Sequence, residues 1–453
     1  MGKYLIENKI LINIYDKNKE SLLINTLSGR IDVLSHSEAE CILRWEGKEI
    51  CPRSIQEQEL YYELLERGYL VDNVKQENMK ELELLKICRK CHMEATRKKN
   101  VVFVITYFCN FACPYCYEKS IRYEEKTILS PDMVDQIFML HNNDIENITF
   151  FGGEPFLPET REIVKYIISK SPDAKFSAIT NGYFLDEYLD ILKKVYIMNI
   201  TVTLDGDRKT HNKTRKLKNG EGTYDKIISN IELYLKNNIR IKVRMNISNK
   251  NVRQCLTLRE SMMENYKEYY ERNMLSFELQ PIFQMNEEER KKLNDEIFFE
   301  TKGKKLNPYK YNVMAGTVSP ILKDFITNTK KEYSLKYCYC DAEEGRVFYD
   351  VYGKIYACIL SVNNFKASIG QYYPEYKLKK RSISTRNIES IEKCRICKLK
   401  FLCGGGCANE VIENGEDVMK ENCRAILNEI YFELPRLFRK SVYGDEKENN
   451  CNC

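Results

Sequence analysis

Val101-Val102-Phe103-Val104-Ile105-Thr106-Tyr107-Phe108-Cys109-Asn110-Phe111-Ala112-Cys113-Pro114-Tyr115-Cys116 is the stretch on which the fold turns. Its first seven residues form a near-continuous apolar run, as a strand buried on both faces does. Three cysteines follow at once. Beyond them the pattern alternates. Helices are expected at Pro131–His141, Glu159–Ser169, Leu185–Val195, Tyr224–Lys236 and Val252–Tyr266, and strands at Asn147–Phe151, Lys175–Thr180, Ile197–Leu204, Ile239–Ile247 and Leu275–Pro281. Six strands alternating with helices predict an α/β fold, a partial (β/α)6 TIM-like barrel over residues 101–285. Six strands do not close a full barrel, and the open side leaves a wide mouth that suits a large substrate.

The cysteines set the chemistry. The chain has 453 residues, 18 Cys and only four His, which supplies mixed Cys/His zinc sites poorly. The first residues lack a signal-peptide core and no apolar run reaches membrane-spanning length, so a cytoplasmic protein without a membrane partner is expected. In that compartment thiols stay reduced, and metal binding is the natural use of so many. Lys and Arg total 71 against 66 Asp and Glu, a net charge of +5 without a basic stripe, which gives no case for nucleic acid. Cys109, Cys113 and Cys116 can bind three irons of a [4Fe–4S] cube and leave the fourth iron open to a bidentate ligand. A zinc loop or plain buried thiols are the alternatives for the bare spacing.

Cys-x3-Cys-x2-Cys after the first barrel strand, with Tyr115 before the last Cys, resembles the signature of radical S-adenosylmethionine (SAM) enzymes. Gly152-Gly153-Glu154-Pro155, Thr180-Asn181-Gly182, Thr203-Leu204-Asp205-Gly206 and Arg244-Met245-Asn246 follow at successive strand ends, in the order the resemblance implies. It implies that SAM chelates the open iron, that one electron cleaves its sulfonium, and that a 5′-deoxyadenosyl radical abstracts a substrate hydrogen. By the same resemblance Glu154 holds the methionine ammonium, Gly152 and Gly153 allow close backbone approach, and Thr180 and Asn181 meet the nucleoside. Thr203 and Arg244 meet the carboxylate, with Arg215 competing for that role, and Asn246 meets the ribose or adenine.

A second array closes the chain: Cys340-x12-Gly353-x4-Cys358, then Cys394-x2-Cys397-x5-Cys403-x3-Cys407, then Cys423. This order resembles the SPASM extension of radical SAM enzymes, over residues 338–427, and implies two further [4Fe–4S] clusters, three in all. Cys394, Cys397, Cys403 and Cys423 would hold the outer one, and Cys340, Cys358 and Cys407 the inner one. Cys338 is a candidate fourth inner ligand; if it does not reach, an open iron could take a substrate thiolate. A zinc ribbon would explain four of these cysteines.

Residues 1–80 read as strands followed by helices, a winged-helix-like module. Leu64-Leu65-Glu66-Arg67-Gly68-Tyr69-Leu70-Val71 resembles the peptide-recognition domain of ribosomal-peptide maturases of the ranthipeptide and sactipeptide type, though a plain structural cap fits as well. Residues 76–99 are polar and charged and read as a linker helix, with the linker placed at 81–100; 286–337 reads as a bridging region, and 428–453 as a C-terminal helix and tail. The implied activity is installation of a thioether or carbon–carbon cross-link in a small precursor peptide with a leader, with flavodoxin or ferredoxin as electron donor. A formylglycine-forming sulfatase-maturating enzyme is the alternative, and an iron–sulfur electron carrier or metal-stabilised binding protein is one of another class. Cys88-Arg89-Lys90-Cys91-His92 matches the c-type haem attachment pattern and is taken as a linker feature. Cys41, Cys51 and Cys255 read as ordinary thiols, and Cys451 and Cys453 as part of the tail.

Overall fold

The N-terminal residues form the expected strands and helices. β1 (Tyr4–Leu5), β2 (Lys9–Asn13), β3 (Ser21–Asn25) and β4 (Arg30–Leu34) precede α1 (His36–Trp45), α2 (Ile55–Glu66) and β5 (Leu70–Val71). β2, β3 and β4 make an antiparallel sheet in that order, and β1 pairs with β5. Ser35 and Glu38 close a capping box on α1, and Ser54 caps α2. Leu60 and Leu64 of α2, Ile42 and Trp45 of α1 and Leu23 and Leu34 of the sheet share one apolar core. Tyr69 lies within it and donates its hydroxyl to Asp32 Oδ2 at 2.8 Å.

This computed structural model describes residues 2–14, 19–96, 100–117, 126–282, 285–286, 288–289, 292–293, 312–313, 335–340, 342 and 345–443. Most of the bridging region expected at 286–337, and the tail with Cys451 and Cys453, lie outside the described residues. The chain divides into two compact units. One comprises Met1–Ala95, Ser319–Glu344 and Thr385–Cys453, the other Thr96–Val318 and Gly345–Ser384. The 338–427 segment is thus shared between them.

The stretch read as a linker helix is helical, α3 (Val74–Thr96), and it is docked within the first unit. Glu77 is buried and accepts the backbone N–H groups of Glu7 at 2.9 Å and Asn8 at 2.8 Å. Leu84, Leu85 and Cys88 pack on an apolar cluster formed by Leu27, Ile388, Ile391, Cys394 and Phe401. Charged residues on the other faces hide this stripe in the sequence. After Cys423 the helical run is Arg424–Asn428, a five-residue π segment Glu429–Glu433, and Leu434–Tyr443.

The second unit is the barrel. β6 (Asn100–Val104), β7 (Asn147–Phe151), β8 (Lys175–Thr180), β9 (Ile197–Thr203), β10 (Ile241–Ile247) and β11 (Leu275–Pro281) are parallel and pair in chain order. α4 (Pro131–Leu140), α5 (Arg161–Lys170), α6 (Leu189–Leu192), α7 (Arg208–Thr214), α8 (Tyr224–Lys236) and α9 (Val252–Asn265) connect them. All six expected strands are present. Two more extend the parallel run: β12 (Asn312–Val313) beside β11 and β13 (Arg346–Tyr349) beside β6. The antiparallel strands β14 (Lys354–Tyr356), β15 (Gly370–Gln371) and β16 (Lys377–Leu378) follow β13, so the eleven-stranded sheet stays open, with β12 and β16 at its ends. These additions are two to four residues long and lack the periodicity that reveals a strand in sequence. Among the described residues no helix is long and apolar enough to cross a membrane.

Candidate active site

The cysteine loop leaves the C-terminal end of β6 and is clamped from one side by a short hairpin. Ala112 N–H bonds Lys216 O at 2.9 Å, Lys218 N–H bonds Asn110 O at 3.1 Å, and Phe111 pairs antiparallel with Leu217. Behind the loop lies the Gly152-Gly153-Glu154 turn at the end of β7. Gly153 N–H donates to Thr106 O and Glu154 N–H to Phe108 O, both at 2.9 Å. A Cβ on Gly152 would stand 2.2 Å from Thr106 O, and one on Gly153 2.4 Å from Tyr107 O. Backbone meets backbone here, so any side chain would push the turn off the cysteine loop.

Glu154 is buried under this contact. Its Oε1 accepts Thr180 Oγ1–H at 2.6 Å and Phe156 N–H at 2.9 Å, and its Oε2 accepts Asn181 N–H at 2.7 Å. Burial pushes its carboxyl up to about 6, against the pull of those three donors. A Glu154→Gln variant must aim an amide N–H₂ at one of them. The expected cost is about 2 kcal/mol, read as a lowered melting temperature; a variant that melts like the parent would contradict this anchoring of the turn.

Asn181 donates to Asn110 Oδ1 at 2.8 Å and lies 3.9 Å from Cys109 Sγ, which also accepts Phe111 N–H at 3.4 Å. Burial, then the Glu154 carboxylate, push the Cys109 thiol up to about 12. A cation bound at this sulfur must therefore displace its proton.

On the other flank Tyr115 donates its hydroxyl to Asp205 Oδ2 and accepts Arg215 Nη1–H at 3.0 Å. Asn246 adds a weaker contact to Tyr115 at 3.4 Å and gives its backbone N–H to Asp205 Oδ1 at 3.0 Å. His211, one turn before Arg215 on α7, is held neutral: burial, then the Arg215 charge, lower it to about 2. Its Nδ1 accepts Asp205 N–H at 3.3 Å, so Nε2–H donates to Thr223 Oγ1 at 3.0 Å, and Thr223 in turn donates to Arg215 O at 2.6 Å. The chain of bonds fixes Arg215 beside the cysteine loop, with its guanidinium carbon 5.5 Å from the Phe111 ring.

Of the two candidate arginines, the structure brings Arg215 to Tyr115 and Asp205. Arg244 pairs instead with buried Glu278, 3.1 Å away, in register with Thr203 on one side and Glu278 on the other. The sequence had not pointed to His211, Thr223 or Asn110. The i, i+4 spacing of His211 and Arg215 was the available signal, and it is too common to read alone.

The residues fit an iron–sulfur cluster with a polar ligand beside it. Among the described residues, Arg215 Nε, beside the cysteine loop, and Asn110 Nδ2, within it, are buried donors without a hydrogen-bond partner. In the other unit, burial pushes Cys394 up to about 12 and Cys403 to about 11, and the thiols of Cys394, Cys397, Cys403 and Cys423 lie within electrostatic reach of one another. Cys397 Sγ accepts Leu399 N–H at 3.4 Å. Among the described residues no three His, Cys, Asp or Glu side chains close tightly enough to hold a single metal ion. A cube spreads its thiolates over separate irons and does not require that closure. Cys340 and Cys407 belong to this same unit and Cys358 to the barrel unit.

The Radical SAM superfamily model matches residues 103–254. An Fe-coproporphyrin III synthase of Methanosarcina barkeri is 30% identical over 163 residues, 35% of this chain and 39% of that protein. The radical SAM cyclopropyl synthase TigE of Paramaledivibacter caminithermalis is 23% identical over 200 residues, 39% of this chain and 41% of TigE. The chain thus spans less than half the length of either relative. Two solved structures share its fold over far more. Streptococcus suis SuiB bound to precursor peptide SuiA superposes with a TM-score of 0.54 at 14% identity, covering 93% of this chain and 99% of SuiB. Native anSMEcpe with bound AdoMet and Cp18Cys peptide gives 0.52 at 18% identity, covering 75% of this chain and 98% of that one.

Proposed function

We propose that this chain, whose residues 103–254 match the Radical SAM superfamily model, is an enzyme, a maturase that cross-links a small ribosomally made precursor peptide. The observation that carries the radical reading is the cysteine loop seated at the end of β6 on buried Glu154, with donors left over around it. A [4Fe–4S] cluster on Cys109, Cys113 and Cys116, with SAM on its open iron, supplies one-electron cleavage of SAM and a 5′-deoxyadenosyl radical. The chain's own residues bind and orient. Glu154 offers its carboxylate to the SAM ammonium, and Arg215 offers Nε to the SAM carboxylate. Asn181 and Asn246 flank the nucleoside, and Tyr115 ties the loop to Asp205. Along β10 the apolar residues Ile241, Val243, Met245 and Ile247 are buried, while the half-buried Lys242, Arg244 and Asn246 alternate with them.

The peptide reading is supported by the N-terminal module and by the two fold neighbours, which hold peptides. β4 ends its three-stranded sheet, and Val33 on it is 45% exposed. Such an edge accepts an extended leader by strand addition. Auxiliary clusters on the C-terminal cysteines would take the electron left by substrate oxidation, and flavodoxin or ferredoxin would supply the first one.

The test is anaerobic reconstitution with iron and sulfide, then dithionite, SAM and the peptide encoded by a neighbouring short reading frame. The expected result is 5′-deoxyadenosine and a peptide lighter by two hydrogens, with no modification of a peptide lacking its leader. Formylglycine in the product would place the protein with sulfatase-maturating enzymes. Full iron without deoxyadenosine would make it an electron carrier.

A further inference from the structure

We infer that His92 of α3 is a positioning residue for the inner auxiliary centre: its imidazole N–H holds the sulfur of Cys338 and so presents Cys338 as a further thiolate of the cluster proposed for Cys340 and Cys407. The inference rests on the proposal that the C-terminal cysteines bind iron–sulfur clusters.

The geometry begins with the Cys88-x2-Cys91-His92 motif. Its two cysteines differ in burial. Cys88 packs against the apolar cluster that contains Cys394, whereas Cys91 is exposed. The contacts made toward the cysteine-rich segment come from Cys88, Arg89 and His92. Arg89 pairs with Glu389 at 2.5 Å, and Tyr337 donates its hydroxyl to the same carboxylate. The His92 ring lies 5.1 Å from the Tyr337 ring, and its Nδ1 is 3.7 Å from Cys338 Sγ. α3 therefore grips the segment from Tyr337 to Cys340 at two points.

That segment lies on the loop between Cys403 and Cys407. Gly404 has a φ of +70°, and a Cβ there would stand 2.4 Å from Cys338 O. Tyr339 lies within electrostatic reach of Cys340, Cys403 and Cys407. Cys338 is buried, with its sulfur 3.8 Å from Cys340 O. The sulfur thus lies against the backbone of Cys340, one of the proposed inner ligands, and faces an imidazole.

Chemistry fixes the direction of the bond. A thiolate bound to iron has no proton to give, so the imidazole N–H is the donor. An N–H···S bond draws charge from the sulfur and favours the reduced cluster, which raises its reduction potential. The tie also fixes the sulfur's position, as outer partners of metal ligands do.

The experiment uses the reconstituted full-length protein, wild type against His92→Phe, His92→Gln and Cys338→Ala. It reads iron content, redox titration followed by EPR, and pulsed EPR on protein labelled with ¹⁵N-histidine. His92→Phe should keep about twelve irons and SAM cleavage while one auxiliary cluster moves to a lower potential. His92→Gln keeps a donor and should fall between it and the wild type. Cys338→Ala should alter the EPR signal of that same cluster. Unchanged potentials in both His92 variants would overturn the inference, as would an unchanged auxiliary signal in Cys338→Ala. Strong ¹⁵N coupling in the wild type would overturn it in favour of direct imidazole ligation, a readout that needs no variant to fold. A wild type holding zinc, or only about four irons, would sink the parent proposal before any variant is compared.

Discussion

Changing Cys109, Cys113 and Cys116 together to alanine is expected to lower iron from about twelve to about eight per chain and to abolish 5′-deoxyadenosine formation. The protein should nevertheless stay folded. The loop that carries the cysteines is held by backbone bonds that the substitutions leave alone: Ala112 to Lys216, Lys218 to Asn110, Gly153 to Thr106 and Glu154 to Phe108. Of the three, only Cys113 is buried as a whole residue, and its loss to alanine is a small hydrophobic deletion worth about 1 kcal/mol. The melting temperature of iron-free protein should therefore move by only a few degrees. The two C-terminal clusters should keep their EPR signals, because their proposed ligands are other residues. Two results would overturn this account. Unchanged iron would place the first cube elsewhere, and residual deoxyadenosine would separate SAM cleavage from these thiols.

Much of the barrel could be read directly because its strands carry both periodicity and punctuation. β7, β8, β9, β10 and β11 fall within two residues of the expected ranges, since each is an apolar run bounded by a polar turn. The site was legible for the same reason: Gly152-Gly153-Glu154 and Thr180-Asn181 sit where strands end. Three features were hidden. The docking of α3 was hidden, though its helix was not, because its packed stripe is narrow and its deepest anchor is a carboxylate, Glu77, rather than a hydrophobe. β13 escaped because four residues amid glycine and cysteine show no period, although its pairing with β6 joins the cysteine-rich segment to the barrel sheet. The ion pair of Arg244 was hidden because its partner, Glu278, is thirty-four positions away and only the strand register brings it alongside. Local chemistry is written in short motifs; a partner fixed by sheet register is not.

Arg386→Met is expected to have the largest effect outside the active site, and the reason is how this side chain is solvated. Arg386 is completely buried. Its Nε donates to Val418 O at 2.9 Å, its Nη2 to Gly405 O and Lys420 O, each at 2.7 Å, and its Nη1 to Gly406 O. Gly405 and Gly406 lie between Cys403 and Cys407, and Val418 and Lys420 run up to Cys423. One guanidinium therefore fastens the two loops that bear the proposed outer ligands. Gly404, Gly405 and Gly406 all have positive φ, the conformation that lets successive carbonyls turn toward it. Methionine fills much of the volume but offers no donor. Four carbonyls then lose a charged partner at once, a cost on the order of 4 kcal/mol or more. Arg386→Lys should be only partly milder, because an ammonium lacks the planar fork that reaches carbonyls on both loops. The expected readout is a lower melting temperature and iron falling by about four per chain, while the Cys109 cluster and SAM cleavage persist. Peptide modification should fail with SAM still being consumed, since radical generation would be separated from the outer cluster. A Met variant with full iron and an unshifted melt would show that the cysteines themselves, once bound to iron, hold these loops without the arginine.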